Sequence, residues 1–257
     1  MSSDNIYSKW PYGYAEGLLM REGLFDNSGE VEFLTNLFQQ EFPDKKFHRK
    51  IIWNAVDFDS AEIVRFNEKE DWDTIPSKIV ASTSMPFAFP HMHIDNKTLV
   101  DGGSVWNVDY AAGITQCLDD GYKESDIIVD IILCTGMQAN GTTGYNTIQN
   151  YLRYRNIKAY YNSMSDLDEI KRGYEEVNFR HLVVPKKPLP SGYIPLGFNH
   201  ESIVKMIELG YQDASEVFNM GEGKSFDQVH SFVDDLHNVY TKDFPDKSEP
   251  IKISLSE

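Results

Sequence analysis

A few stretches of this 257-residue chain hold residue types in spacings that could do chemistry. The first is Asp101-Gly102-Gly103. Two glycines leave the carboxylate little steric cover and let a second backbone or a substrate come close. A carboxylate, with a reference pKa of about 3.9, becomes a useful general base only when desolvated and firmly positioned. Asp-Gly is also an everyday turn dipeptide, chosen for side-chain-to-backbone hydrogen bonds and tolerance of positive φ. The second stretch is His91-Met92-His93-Ile94-Asp95, which places three potential ligands at alternate positions and therefore on one face of a strand. Histidines in a loop beside a proline are commonly just solvated. Two glycine-rich loops complete the set. Residues 136–144 follow a strand and precede a helix, the setting of a phosphate cradle, but Thr142 stands where a P-loop has lysine, and the spacing is not G-x-G-x-x-G. Residues 221–225 have Phe218 at the position of the first P-loop glycine. Both read as ordinary loops, so neither a metal nor a cofactor is assigned.

Nucleophiles are scarcer. No serine has glycine at both −2 and +2; Ser104 has Gly102 before it and Trp106 after it. Ser82 and Ser84 are the serines nearest to Asp101 on its N-terminal side, and both read as hydrogen-bonding within a helix end. Glycines upstream of Asp101 are Gly13, Gly17, Gly23 and Gly29, which form no cluster that could supply oxyanion N–H groups. Cys117 and Cys134 read as small buried hydrophobes of a helix and a strand. Tyr151, Tyr154, Tyr160 and Tyr161 read as core or groove lining.

Around Asp101 the pattern widens. Ala81-Ser82-Thr83-Ser84-Met85-Pro86-Phe87-Ala88-Phe89-Pro90 precedes it and Asn107 follows. This arrangement resembles the C-terminal half of the patatin-like phospholipases. That family's signature joins an Ala-Ser-x-x-x-Pro helix, a Phe-Pro, an Asp-Gly-Gly loop and an Asn-capped helix. Ala81, Ser82, Pro86, Phe89, Pro90, Asp101, Gly102, Gly103 and Asn107 fall at the family's positions. The departure is Asn107-Val108-Asp109, where the family reads Asn-Asn-Pro. Looser similarity takes in Gly23-Leu24-Phe25-Asp26, the stretch 51–66 and the strand 126–133.

The resemblance implies a lipid acyl hydrolase acting on an ester of a phospholipid or neutral lipid. It works by a Ser-Asp dyad in which Asp101 takes the serine proton and no histidine takes part. The family's serine lies in G-x-S-x-G at a strand-to-helix elbow, and that half has no counterpart in this sequence. Two readings follow. One is a lipid acyl hydrolase represented by its Asp-Gly-Gly half and completed by an upstream segment or a second chain. The other is a catalytically inactive homologue that binds lipid or a protein partner.

The elements that must position Asp101 are legible as periodicities. Val31, Leu34, Leu37 and Phe38 share a helical face after the turn 26–29. Residues 49–58 and 63–66 read as a hairpin. Thr74 and Pro76 open a short helix that Pro86 must end. Leu99-Val100 is a short strand, and Asn107 caps a helix that stops near Gly121. The run Ile127-Ile128-Val129-Asp130-Ile131-Ile132-Leu133 is nearly continuous in β-branched residues, which predicts burial on both faces. Residues 143–174 read as irregular helix, 178–184 as a strand, and helices open at Asn199 or His200 and at Ser225.

The predicted fold is therefore α/β and three-layered, with a largely parallel central sheet flanked by helices. The N-terminal strands of the resembled fold are missing. Residues 1–240 form one domain and 241–257 a polar tail. Without the elbow strand, the sheet keeps an exposed edge that invites a partner strand.

Composition narrows the partners. The net charge is −16, from 24 basic and 40 acidic residues, with no Lys/Arg stripe long enough to track a polynucleotide. Nucleic acid and anionic lipid are excluded as electrostatic partners. Apolar contact is left as the route to a membrane surface. The 41% apolar content can fill a core, and no run reaches the ~18–20 apolar residues of a membrane span. The opening residues lack the basic and apolar regions of a signal peptide. The expected location is cytoplasmic, with peripheral contact at membranes.

Overall fold

The computed structural model describes residues 6–134, 136, 142–189, 199–227 and 229. They build two separate sheets. The first is antiparallel and made of two hairpins. Strands β1 (Ile52–Asp57) and β2 (Ile63–Asn67) pair from Ile52↔Asn67 to Val56↔Ile63, forming the hairpin expected of residues 49–58 and 63–66. Strands β3 (Met92–Ile94) and β4 (Lys97–Asp101) form the second hairpin. Its turn, Asp95-Asn96, has φ of 52° and 60°. That left-handed pair matches strand twist in a two-residue hairpin, and Asp and Asn tolerate it. β4 pairs antiparallel with β1 from Asp57↔Leu99 to Ala55↔Asp101, giving the order β2-β1-β4-β3.

Helices α1 (Tyr14–Met20) and α2 (Ser28–Glu41) precede this sheet in sequence, and α3 (Ile75–Thr83) lies across β1 and β4. Ala81 of α3 meets Ala55, Phe66 and Leu99 in one buried cluster. Pro76 sits in the first turn of α3, where a missing N–H removes no helical hydrogen bond. α2 packs on α3 with Phe38 buried.

The second sheet has two strands, β5 (Ile128–Ile132) and β6 (Asn178–Val183), which run parallel. Helix α5 (Thr147–Gly173) lies between them in sequence, and α4 (Tyr110–Asp119) precedes them. Tyr110 and Ile114 of α4 and Met164 and Leu167 of α5 enclose Ile131 and Leu182 on one face. Helix α6 (His200–Met220) covers the other face of β6, where the Phe218 and His181 rings lie 4.5 Å apart.

The largely parallel central sheet predicted from sequence is thus corrected. Four of the six described strands are antiparallel, and the parallel pair forms a sheet of its own. Residues 128–132 do form a strand, but it is outermost, with Ile128 54% and Ile132 69% exposed. A continuous β-branched run says that both faces of a strand are apolar. It does not say that both are covered.

Smaller corrections follow the same logic. α5 is one continuous helix of 27 residues, opened by a reciprocal Asn146–Gln149 capping box. α4 is capped by Asp109 and not Asn107: Asp109 Oδ1 accepts from the Ala112 N–H at 3.2 Å. Cys134 is exposed beyond the end of β5, while Cys117 is half-buried in α4. Most of the 136–144 loop, most of the helix expected from Ser225 and the tail 241–257 lie outside the described residues. No helix among the described residues is long and apolar enough to cross a membrane.

Candidate functional site

Asp101 closes β4 and is held from several directions. Its N–H donates to the Ser84 carbonyl at 3.0 Å, tying the strand end to the residue that follows α3. Its side chain turns forward, and Oδ1 accepts from the Gly103 N–H at 2.8 Å, capping the single 3₁₀ turn Gly102–Ser104. Among the described residues Oδ2 accepts no hydrogen bond. Burial pushes the Asp101 carboxyl above the usual carboxylate range, while the Gly103 N–H and the positive charge of Arg155 on α5 pull it back.

Both glycines have local reasons to be there. A Cβ at Gly102 would lie 2.6 Å from the Asn54 carbonyl oxygen, so only glycine lets the loop cross β1 so closely. A Cβ at Gly103 would lie 3.2 Å from Asp101 Oδ1 and 3.6 Å from Asn107 Oδ1, crowding the carboxylate. Asn54 adds a feature that sequence reasoning missed. Its Nδ2 is buried and has no acceptor among the described residues. The available signal was a polar residue inside the apolar run Ile51-Ile52-Trp53-Asn54-Ala55-Val56. Arg155 left no comparable trace, because its approach to Asp101 depends on how α5 packs.

The remaining motif residues pack against the N-terminal segment. The chain at 86–90 pairs with the N-terminal segment: Leu24 N–H donates to the Phe87 carbonyl and Phe25 N–H to the Ala88 carbonyl, both at 2.9 Å. A Cβ at Gly23 would lie 2.6 Å from Phe89 Cα. Phe25, Ala88 and Phe89 form a small buried cluster there.

Among the described residues no hydrogen bond joins a serine hydroxyl to the Asp101 carboxylate. Ser84 is fully buried; its hydroxyl donates to the Val80 carbonyl at 2.8 Å and accepts from Asn27 Nδ2 at 3.4 Å. The histidine run does not converge either. His91 Nδ1 and His93 Nε2 lie 3.9 and 3.7 Å from Glu22, while Asp95 sits in the hairpin turn, 3.9 Å from Lys78 Nζ. The strand ends at Ile94, and the turn carries Asp95 off its face. Among the described residues no three metal-ligating side chains assemble. In the 221–225 loop, Gly221 and Gly223 adopt φ of 93° and 75°, and Ser225 Oγ accepts from the Leu182 N–H at 2.8 Å, so the loop anchors β6.

A cavity of about 120 Å³ lies beyond the Asp-Gly-Gly loop, lined by Trp106, Asp109, Tyr110, Asp166, Glu169 and Ile170 among others. It does not include Asp101 and is smaller than the ~300–1,000 Å³ of most small-molecule sites. Burial, and after it the neighbouring Glu169, pushes the Asp166 carboxyl up. Burial also raises the Tyr110 hydroxyl to about 12, and that hydroxyl donates to the Ser163 carbonyl.

No family model matches the chain, and no curated protein matches it in sequence.

Proposed function

We propose that the chain is the aspartate-bearing part of a patatin-like lipid acyl hydrolase. Asp101 is the general base for a serine contributed by polypeptide outside these 257 residues, on the same chain or another. The observation that carries the reading is the state of the Asp101 carboxyl. It is partly buried, one oxygen is pinned by Gly103, and the other is left without a hydrogen-bond partner among the described residues. Desolvation strengthens it as a base, and the pinned geometry aims the free oxygen without a rotamer search.

In the reaction, the serine Oγ attacks the ester carbonyl carbon as Asp101 takes its proton. The tetrahedral intermediate then collapses, expelling the alcohol, which leaves with that proton. Water attacks the acyl-serine in the second half, again giving its proton to Asp101, and the serine recovers a proton as the fatty acid departs. The substrate is a phospholipid or neutral-lipid ester met through apolar contact, because the acidic chain gains nothing from an anionic surface.

The purified chain should take no fluorophosphonate label and should not hydrolyse a short-chain p-nitrophenyl ester above buffer. Expressed with the coding sequence upstream of Met1, where an in-frame G-x-S-x-G is expected, it should gain both. In that assembly Asp101→Asn should lower kcat by about 10²–10⁴-fold. Turnover indifferent to Asp101→Asn would sink the reading.

A second reading, an inactive homologue that binds lipid or protein, is favoured by one observation. The only hydrogen bond of the Asp101 carboxylate among the described residues is the local one that any turn aspartate makes. It prevails if the extended assembly neither labels nor turns over.

A further inference from the structure

Among the described residues the two-stranded sheet is open along β5. Leu133 N–H donates to the Val183 carbonyl, and the Ile127 carbonyl accepts from the Asn178 N–H, so odd-numbered residues face β6. Successive residues of a strand turn their backbone groups to opposite sides. Ile128, Asp130 and Ile132 therefore aim their N–H and C=O groups at the open edge, and no strand pairs with that edge among the described residues.

Natural edges are usually blunted by an outward charge, a proline or a bulge that twists the edge away. β5 has no proline. The register shift between Val129 and Asp130 lies on the ladder to β6. Its single charge, Asp130, is spent across that ladder: Arg180 Nε donates to Asp130 Oδ1 at 3.0 Å, and a second guanidinium nitrogen binds Oδ2. What remains on the exposed face is Ile128 and Ile132 on either side of the exposed Asp130–Arg180 pair.

That face continues onto α6. Phe218 lies against His181, whose register partner on β5 is Asp130. Phe218 belongs to a stripe with Val204, Ile207 and Tyr211, spaced at helical intervals and all exposed. His181 is buried beneath it, and its Nδ1 has no hydrogen-bond partner among the described residues.

The geometry points to β5 as the docking edge for an extended strand of a second polypeptide, basic overall and β-branched on the face turned to α6. Backbone groups select the class of partner. A hydrocarbon surface covers isoleucine but cannot hydrogen-bond the edge, whereas a strand does both. Charge selects the sequence. Two copies of a chain carrying −16 repel, and full-overlap antiparallel pairing of β5 with itself sets Asp130 opposite Asp130. A basic strand meets neither penalty. The surface stands apart from the acyl-transfer reading, since Asp101 forms no part of it.

The test uses the full chain and a labelled peptide, acetyl-Lys-Val-Thr-Val-Lys-Val-Thr-Lys-amide, beside its glutamate-for-lysine counterpart. Fluorescence anisotropy and amide hydrogen exchange are read together. The basic peptide should bind and slow exchange at Ile128, Asp130 and Ile132. Ile132→Lys and Ile128→Lys should each weaken binding at least about tenfold, by adding like charge to the edge, with Tm unchanged. Absence of binding overturns the proposal, as does equal binding of the acidic peptide. Three further results also overturn it. Protection that grows with protein concentration alone makes the occupant a second copy. Protection at every dilution without peptide makes it this chain itself. Protection by phosphatidylcholine vesicles makes it a lipid surface. No ester hydrolysis enters the readout, so failure here leaves the role of Asp101 standing.

Discussion

The two sheets solve the problem of an unpaired edge differently. In the four-stranded sheet each hairpin closes through a short turn, and the outer strands are blunted. β3 has three residues, with His91 and His93 flanked by Glu22, and β2 carries Arg65, whose Nε bonds Asp109. In the two-stranded sheet the partners are separated by a 27-residue helix, and the outer strand keeps apolar side chains in water. Antiparallel hairpins are locally self-sufficient. A parallel pair is stable and covered only as part of something larger. The candidate base lies on the self-sufficient side, and the open edge lies on the other.

The comparison can be broken most forcefully in the cores. Leu99 and Leu182 are fully buried in different clusters. Each Leu→Ala change should cost about 2–5 kcal/mol, from lost transfer energy and the cavity left behind. Leu182→Ala should raise hydrogen exchange in β5 and β6 first, and Leu99→Ala in β1 and β4. If both variants open all six strands together, the two sheets form one cooperative unit and the contrast fails.

Gly102→Ala comes next. The new methyl would meet the Asn54 backbone, which cannot yield as a side-chain end can, so a loss of about 1–3 kcal/mol is expected, as for overpacking. Gly121→Ala should cost less, since nothing lies within 4 Å and only its φ of 91° opposes a side chain. Urea melts of the pair separate crowding from backbone strain.

Much of the hairpin sheet was legible because its signals are local. The 49–58 and 63–66 hairpin and Pro76 at a helix start act within a few residues, whereas the sequence reading misses the Asp95-Asn96 turn and places Asp95 on a strand face. The Asp-Gly-Gly loop was legible for the same reason, since its glycines answer to Asn54 on a strand already recognisable as such. What escaped depended on distant packing. Ile128 and Ile132 look like core residues until the strand that would cover them proves absent from the described sheet. Asn107 and Asp109 are both good N-cap residues, so type alone cannot choose between them. The charge of Arg155 acts on Asp101 from α5, whose aromatic residues, spread over several faces, obscured the regularity of that helix.

The smallest effect tests whether Asp101 is held at a cost to stability. Its folded pKa is raised, chiefly by burial. A carboxyl with a raised folded pKa contributes stability that is fully present below its unfolded value of about 3.9 and is lost as pH rises through the folded value. Asparagine keeps an oxygen to accept from Gly103 but carries no charge to desolvate. Asp101→Asn should therefore have a higher Tm than the wild type at pH 7. The gap should close as pH falls below the carboxylate range, where the native side chain is neutral as well. A turn aspartate kept only for its hydrogen bond would show the opposite: its charged form would accept the Gly103 N–H better than an amide can, and Asp101→Asn would lose stability at pH 7. The sign of that difference in paired thermal melts distinguishes a carboxylate held ready as a base from one that merely shapes the loop.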